Sequence, residues 1–482
     1  MLLKEQAVSG VKWNGINAGI VATLQFVTLA ILARLLVPTD FGLMGMVLVV
    51  IGFARLFADI GVSNAIIYRQ DATRESLSSL YWLNILGGIA IFFIVCALTP
   101  LVVILYHEPR LSSLMYLLAL TFLITPFGQQ FQMLLQKELQ FKQLARITII
   151  AAAANSAVAI ILAIGGMGVF SLIWGQLVGA FVRVLQLSFW GWRRWKPQWH
   201  FSRNSLKGYI GFGLYQLGER TVNYFNSNLD YLLIGILLGA KPLGYYTLAY
   251  NLILRPSLKI NPIITRVAFP VFSKLQNDVV KLKKGYLKVL QVLSLVNFPL
   301  MVGLAIVAPV AVPVIFGERW VPSVILVQIL TVVGLLRSVN NPVGSLLLSK
   351  GRADLGFKWN VGVMITQIPG LYLGAKYGGT VGVAVAFAIL QILYTMLNYL
   401  ILIRPLLGPC LREYISSMWP SLLMSVAMGG AVFCTSVFLQ KLPQELLLTT
   451  QVLCGVTVFL GLMVYTQRKV VVEIKEMLWS KG

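Results

Sequence analysis

Ionisable side chains stand inside apolar stretches of this chain, and their spacing is helical. Over 208–238 it carries Glu219, Asn223, Asn226 and Asp230, at steps of 4, 3 and 4. Those steps put all four on one helical face, with Arg220 and Asn228 beside it. Over 243–269, Arg255, Lys259 and Arg266 share a face in the same way. Arg55 and Asp59 are one turn apart and close enough to pair. Arg183 stands in a further apolar stretch, and so does Arg337, followed by Asn340 and Asn341. A charge at the centre of a membrane helix costs about 2.5–3.5 kcal/mol on insertion scales, so such residues face a bundle interior or a watery cavity. Asp59, Glu219 and Asp230 are outnumbered by cations, which suits an anionic passenger such as a phosphate or an acidic sugar. Arginine matches phosphate oxygens bidentately and lysine supplies a point charge. The expected site is a substrate cavity lined by Arg55, Arg220, Arg255, Lys259 and Arg337. Asp59, Glu219 and Asp230 would be ion-coupling groups or permanent counter-ions. A structural alternative stays open: internal ion pairs that lock helices, and end-of-helix cations such as Arg34, Arg266 and Lys376 that snorkel to the interface.

Other chemistry lacks its residues. The two histidines, His107 and His200, fall in loops expected on opposite sides. There is no HExxH, no GxxxxGK[ST] and no Ser-His-Asp candidate set. Cys96, Cys410, Cys434 and Cys454 form no metal-binding spacing and read as packing residues. Neither a metal nor a cofactor is expected, and the chain does not read as an enzyme. The net charge of +23 would suit nucleic acid, but the Lys and Arg sit in short gaps between apolar runs and no basic domain carries them.

Charges at that depth need helices to hold them. Apolar residues make up 58% of the 482-residue chain and charged residues 11%, against about 25% charged in soluble domains. Helices satisfy their own backbone groups in lipid, and the alternation of a membrane barrel is absent. The chain reads as an all-α integral membrane protein of about fourteen transmembrane helices. They are expected over 11–36, 42–67, 78–105, 111–133, 147–165, 168–190, 208–238, 243–269, 286–316, 322–348, 356–376, 379–402, 415–438 and 446–466. Short turns such as Pro38-Thr39-Asp40 and Gly165-Gly166 join antiparallel neighbours. The first apolar stretch is too long for a cleavable leader, so the first helix is expected to be retained. Pro126, Pro256, Pro262, Pro299, Pro309, Pro313 and Pro369 bend their helices, either as gates or as fixed shape.

Most of the 39 Lys and Arg fall on one side when the N-terminus is cytoplasmic. The densest groups are Arg193, Arg194, Lys196, Arg203 and Lys207, then Lys274, Lys281, Lys283, Lys284 and Lys288. This bias puts both termini in the cytoplasm, and the basic loops are expected to touch anionic lipid head groups.

The chain also repeats. Leu35-Leu36-Val37-Pro38-Thr39-Asp40-Phe41-Gly42 matches Leu237-Leu238-Gly239-Ala240-Lys241-Pro242-Leu243-Gly244, and Leu134-Leu135-Gln136-Lys137 matches Leu347-Leu348-Ser349-Lys350. A unit with an even number of helices repeats in the same orientation, and a substrate path is then expected between the copies. The expected organisation is a six-helix lobe over 1–190, a basic cytoplasmic linker over 191–207, a second six-helix lobe over 208–402, and two extra helices with a tail over 403–482.

Several stretches resemble one family. Gly10-Val11-Lys12-Trp13, Ala33-Arg34-Leu35-Leu36-Val37-Pro38-Thr39-Asp40-Phe41-Gly42, Phe57-Ala58-Asp59-Ile60-Gly61-Val62-Ser63-Asn64-Ala65-Ile66-Ile67 and Leu134-Leu135-Gln136-Lys137-Glu138-Leu139-Gln140-Phe141 are similar to bacterial polysaccharide exporters of the colanic-acid and O-antigen flippase type. These belong to the multidrug/oligosaccharidyl-lipid/polysaccharide transporter superfamily. The resemblance is densest over 1–145. It implies a flippase of undecaprenyl-pyrophosphate-linked oligosaccharide units across the bacterial inner membrane, in the service of cell-surface polysaccharide synthesis. Its partners would be the lipid-linked oligosaccharide, the phospholipid bilayer, and the polysaccharide polymerase and chain-length machinery. The matching motifs assign Arg34, Asp40 and Asp59 roles that are as much structural as functional. Two competing readings remain. A multidrug antiporter of the same superfamily would favour an anionic cavity. A membrane glycan polymerase or ligase would need catalytic groups on external loops, which here are very short.

Overall fold

The computed structural model describes residues 2–58, 73–201 and 210–467. Among them every regular element is helical. Asp59 lies outside the described residues, as do 202–207 of the basic linker and 208–209 after it. The chain divides into two compact units between Gly244 and Tyr245.

The first unit opens with α1 (Leu2–Leu35), α2 (Pro38–Ala58) and α3 (Arg74–Tyr106). Proline at the start of α2 sets the helical φ where no backbone donor is needed, and the Asp40 carboxylate accepts the Val37 N–H at 3.2 Å. Thr73 caps α3, its hydroxyl accepting from the Ser76 N–H at 3.2 Å. Beyond α3, Arg110 grips Glu108 through bonds of 2.8 and 2.9 Å, which holds that carboxyl below its ordinary range. Then come α4 (Leu111–Ala119), α5 (Thr121–Ile124) and α6 (Pro126–Lys137). The axis bends by 47° between Ile124 and Pro126, where proline lacks a backbone donor.

Next, α7 (Phe141–Ile164) and α8 (Val169–Gly191) form a close hairpin. Gly175 and Gly179 of α8 lie against Asn155 of α7, the small-residue packing that lets membrane helices approach. Thr28 of α1 donates to the Ser156 hydroxyl of α7 at 2.7 Å. The unit ends with α9 (Ile210–Leu238) and the start of α10 (Ala240–Lys274). A side-chain carbon on Gly42 would strike the Ala240 carbonyl, and one on Gly244 would strike the Pro38 carbonyl. The two contacts interchange when each residue is replaced by its counterpart in the repeated motif.

The second unit takes the rest of α10, then α11 (Val279–Phe316), α12 (Ser323–Asn340), α13 (Val343–Ser349) and α14 (Ala353–Asn398). A π turn (Tyr399–Ile403), α15 (Arg404–Leu407), α16 (Leu411–Phe438) and α17 (Gln444–Thr466) complete it. Gly379 breaks α14 with φ 56 and ψ −142, close to the φ 54 and ψ −135 of Gly168 at the α7–α8 turn. Another pair of turns also agrees. Glu138 and Lys350 lie at φ −82 and −91, and Leu139 and Gly351 follow at φ 57 and 68. The N–H groups of Gln140 and Arg352 then return to Leu135 and Leu347, each at 2.9 Å. This register pairs Leu135 with Leu347, one residue away from the sequence alignment.

The final two helices are seated on α11. Lys283 pairs with Glu413 at 2.9 Å, Gln291 bonds Gln467 at 3.0 Å, and Gly429 lies against Ile306. Within α11, Pro309 has no N–H to offer the Ala305 carbonyl. Gln328 of α12 supplies one instead at 3.3 Å. Gln328→Leu should strand that carbonyl, costing about 1–3 kcal/mol, and show as a lowered melting temperature of the purified protein.

Among the described residues, ten helices are long and apolar enough to cross a membrane, and an eleventh is added if the pair bent at Pro126 is one span. The chain is thus a multi-pass helical membrane protein. Neither α9 nor α10, the two helices richest in embedded charge, is among the ten.

Candidate functional site

Two of the expected cations of the first unit, Arg55 and Arg220, flank the crossing of α2 and α9. The two helices run in opposite directions: Gly42 meets Ala240, the first residue of α10 just past the end of α9, and Gly52 meets Tyr224 of α9 further along. Gly52 has no side chain because the Tyr224 hydroxyl occupies that space. The hydroxyl donates to the Val49 carbonyl at 2.7 Å. Phe53 packs beside it, with ring centroids 6.0 Å from Tyr224 and 5.2 Å from Phe225. From this contact Arg55 is three residues onward in α2 and Arg220 four residues back in α9. Because the helices are antiparallel, both cations lie on the same side of the Tyr224 contact, each about one turn away. Arg55 is exposed and within electrostatic reach of the Tyr224 hydroxyl.

The polar stripe of α9 divides by depth. Glu219 and Asn223 are exposed, whereas Asn226 and Asp230 are buried, Asp230 to 1%. The Asp230 carboxylate accepts the Tyr231 N–H at 3.0 Å. Nearby on α9, Gly235 presses on Tyr106 of α3. This packing places Asp230 in the unit interior, whereas Glu219 is exposed and next to Arg220 in the chain. Arg183 is engaged structurally, donating to Gln132 at 2.9 Å. Asp40 serves the start of α2 and lies beside Gly168, and Lys376 lies over the Tyr377 ring.

In the second unit Arg337 stands over the Phe387 ring at 4.9 Å, and its Nη1 is 3.4 Å from the Tyr250 hydroxyl. Asn340 donates to Thr395 at 2.8 Å. On α10, Ser257 and Asn261 are buried and bond Asn297 of α11 at 2.9 and 3.0 Å. Positions 255 and 259 of α10 are offset by two residues from that pair, about 200° around the axis. The side chains of Arg255 and Lys259, on the same helix, lie outside the described residues. Among the described residues no cluster of His, Cys, Asp and Glu has the make-up of a metal site. Tyr224 and Gly52, which set the first-unit geometry, carry no signal in the sequence, because a tyrosine in an apolar helix is ordinary core.

The family model for polysaccharide biosynthesis proteins matches residues 31–325. This chain belongs to that family. Lipopolysaccharide biosynthesis protein WzxC of Escherichia coli (strain K12) is 39% identical over 436 residues, 89% of each chain. Teichuronic acid biosynthesis protein TuaB of Bacillus subtilis (strain 168) is 35% identical over 482 residues, 97% of each. Among solved structures, lipid II flippase MurJ in its inward closed conformation superposes with a TM-score of 0.75 at 14% identity, covering 95% of this chain and 99% of that one. That likeness is one of fold. The family match takes in Arg55, Arg220, Arg255 and Lys259 and ends before Arg337.

Proposed function

We propose that this protein is a flippase that moves undecaprenyl-pyrophosphate-linked oligosaccharide units across the bacterial inner membrane by alternating access, for cell-surface polysaccharide synthesis. Membership of the polysaccharide biosynthesis family carries the reading. The pairing of Arg55 with Arg220 at one helix crossing agrees with it, since a pyrophosphate needs two or more cations in reach. Arg255, Lys259 and Arg337 are proposed as further cations that bind the anionic substrate. Glu219 is the favoured switchable acid, because it is exposed and adjoins Arg220; Asp230, buried, is the favoured counter-ion. The glycan travels in water while the prenyl tail stays in lipid. Alternating access agrees with a parallel repeat, which the matched turns at 138–140 and 350–352 and at Gly168 and Gly379 support.

Fourteen spans follow if α14 counts as two at Gly379, the helices bent at Pro126 count as one, and α9 and α10 cross despite their charges. Both termini then share the cytoplasmic side. A polymerase and chain-length machinery would take the product.

Vesicles reconstituted with the purified protein should make a labelled undecaprenyl-pyrophosphate oligosaccharide accessible on the opposite leaflet. The Arg255→Gln/Lys259→Gln variant should insert normally yet lose export. Wild-type vesicles without translocation would refute the function, and normal export by the variant would remove those two residues from the site.

A further inference from the structure

The end of α8 and the segment after it form a surface that the transport reading does not use. Phe181, Leu185 and Phe189, at successive turns of α8, are exposed to 56, 58 and 57%. In a bilayer this stripe faces acyl chains. Arg193, four residues further, folds back over the Phe189 ring with its guanidinium carbon 4.4 Å from the centroid. Arg194 is taken up by Glu138. Among the described residues, neither Arg193 nor Lys196 has a carboxylate within salt-bridge range, and both are exposed.

Gln198 and Trp199 are tied to α3. The Gln198 N–H donates to the Ser78 hydroxyl at 3.1 Å, and the Gln198 carbonyl accepts from the Trp82 indole at 2.9 Å. Trp199 stacks on Trp82 at 4.5 Å and 22°, yet remains 91% exposed. Indoles with one wet and one apolar side favour head-group depth, and arginine lays its stem on apolar surface with the charge outward. An apolar track therefore leads to two cations without a carboxylate partner among the described residues, a few residues before Trp199 of the indole pair.

We propose that this rim binds one anionic phospholipid, with an acyl chain along Phe181, Leu185 and Phe189 and the phosphate against Arg193 and Lys196. A lipid with a net negative head group fits better than a zwitterionic one, whose ammonium would meet the second cation. Native mass spectrometry of the full-length protein in detergent, titrated with phosphatidylglycerol or phosphatidylcholine, tests it. The tightest phosphatidylglycerol should bind about tenfold or more weakly to the Arg193→Gln/Lys196→Gln variant. Phosphatidylcholine binding and the melting temperature in detergent should not change. Phe189→Ala should also weaken phosphatidylglycerol, as an acyl track requires. Equal phosphatidylglycerol affinity in wild type and the double variant would overturn the proposal. Displacement of the lipid by millimolar inorganic phosphate would also overturn it, since the rim would then be a site for free anions.

Discussion

Gly42→Val and Gly244→Val should each deplete folded protein from the membrane. The cause is geometric. A side-chain carbon at either position falls on a backbone carbonyl, that of Ala240 or Pro38. A flexible side chain can rotate away from an intruder; a carbonyl in a helical first turn moves only with its helix. Overpacking ordinarily costs about 1–3 kcal/mol and more when backbone must shift, which is a large part of a protein's net stability. Even Gly42→Ala collides, so it should lose most of the folded yield, although alanine gains about 1 kcal/mol over glycine in an open helix interior. Gly87 in α3 has no atom within 4 Å of its would-be side chain, so Gly87→Ala should be neutral or slightly stabilising. Size-exclusion profiles of fluorescent fusions, with melting temperatures for the survivors, would separate the positions. A Gly42→Val protein that elutes and melts like wild type would show that α2 and α10 do not approach this closely.

The sequence carried the helices well because lipid leaves few alternatives. The stretch expected over 168–190 forms Val169–Gly191, and that over 415–438 forms Leu411–Phe438. Turns were legible where glycine or proline marked them. Leu139, at φ 57, gives no such sign, because leucine rarely adopts that conformation. The basic stretch from 191 read as a linker on charge alone. Its docking onto Ser78 and Trp82 depends on hydrogen bonds between residues about 120 apart, which composition does not register. The geometry of the candidate site was legible in part. Helical steps grouped Glu219, Asn223, Asn226 and Asp230 on one face, yet not which end is buried, since that depends on the neighbours α2 and α3. The placement of Arg55 and Arg220 on one side of a helix crossing rests on Gly52 yielding its space to Tyr224, a contact across two helices without local periodicity.

That placement sets the second large effect. Arg55→Gln/Arg220→Gln should reduce translocation of the pyrophosphate-linked substrate by at least about a hundredfold. A hydrogen bond to a charged group contributes about 1.5–3 kcal/mol, so losing two arginines from one pyrophosphate removes roughly 3–6 kcal/mol, more than the 2.7 kcal/mol that a hundredfold requires. Arg55→Lys should recover part of the rate, because it keeps the charge but loses the planar fork. A purely structural role predicts a different pattern. If the two arginines only held helices together, the glutamine pair would melt earlier and the surviving protein would transport at the normal rate. If they bind the pyrophosphate, melting stays near wild type and the lost rate tracks lost substrate affinity. Tyr224→Phe separates the readings further: it removes the bond to the Val49 carbonyl at 2.7 Å while leaving both charges. It should lower stability by about 1 kcal/mol and reduce transport far less than the double arginine change.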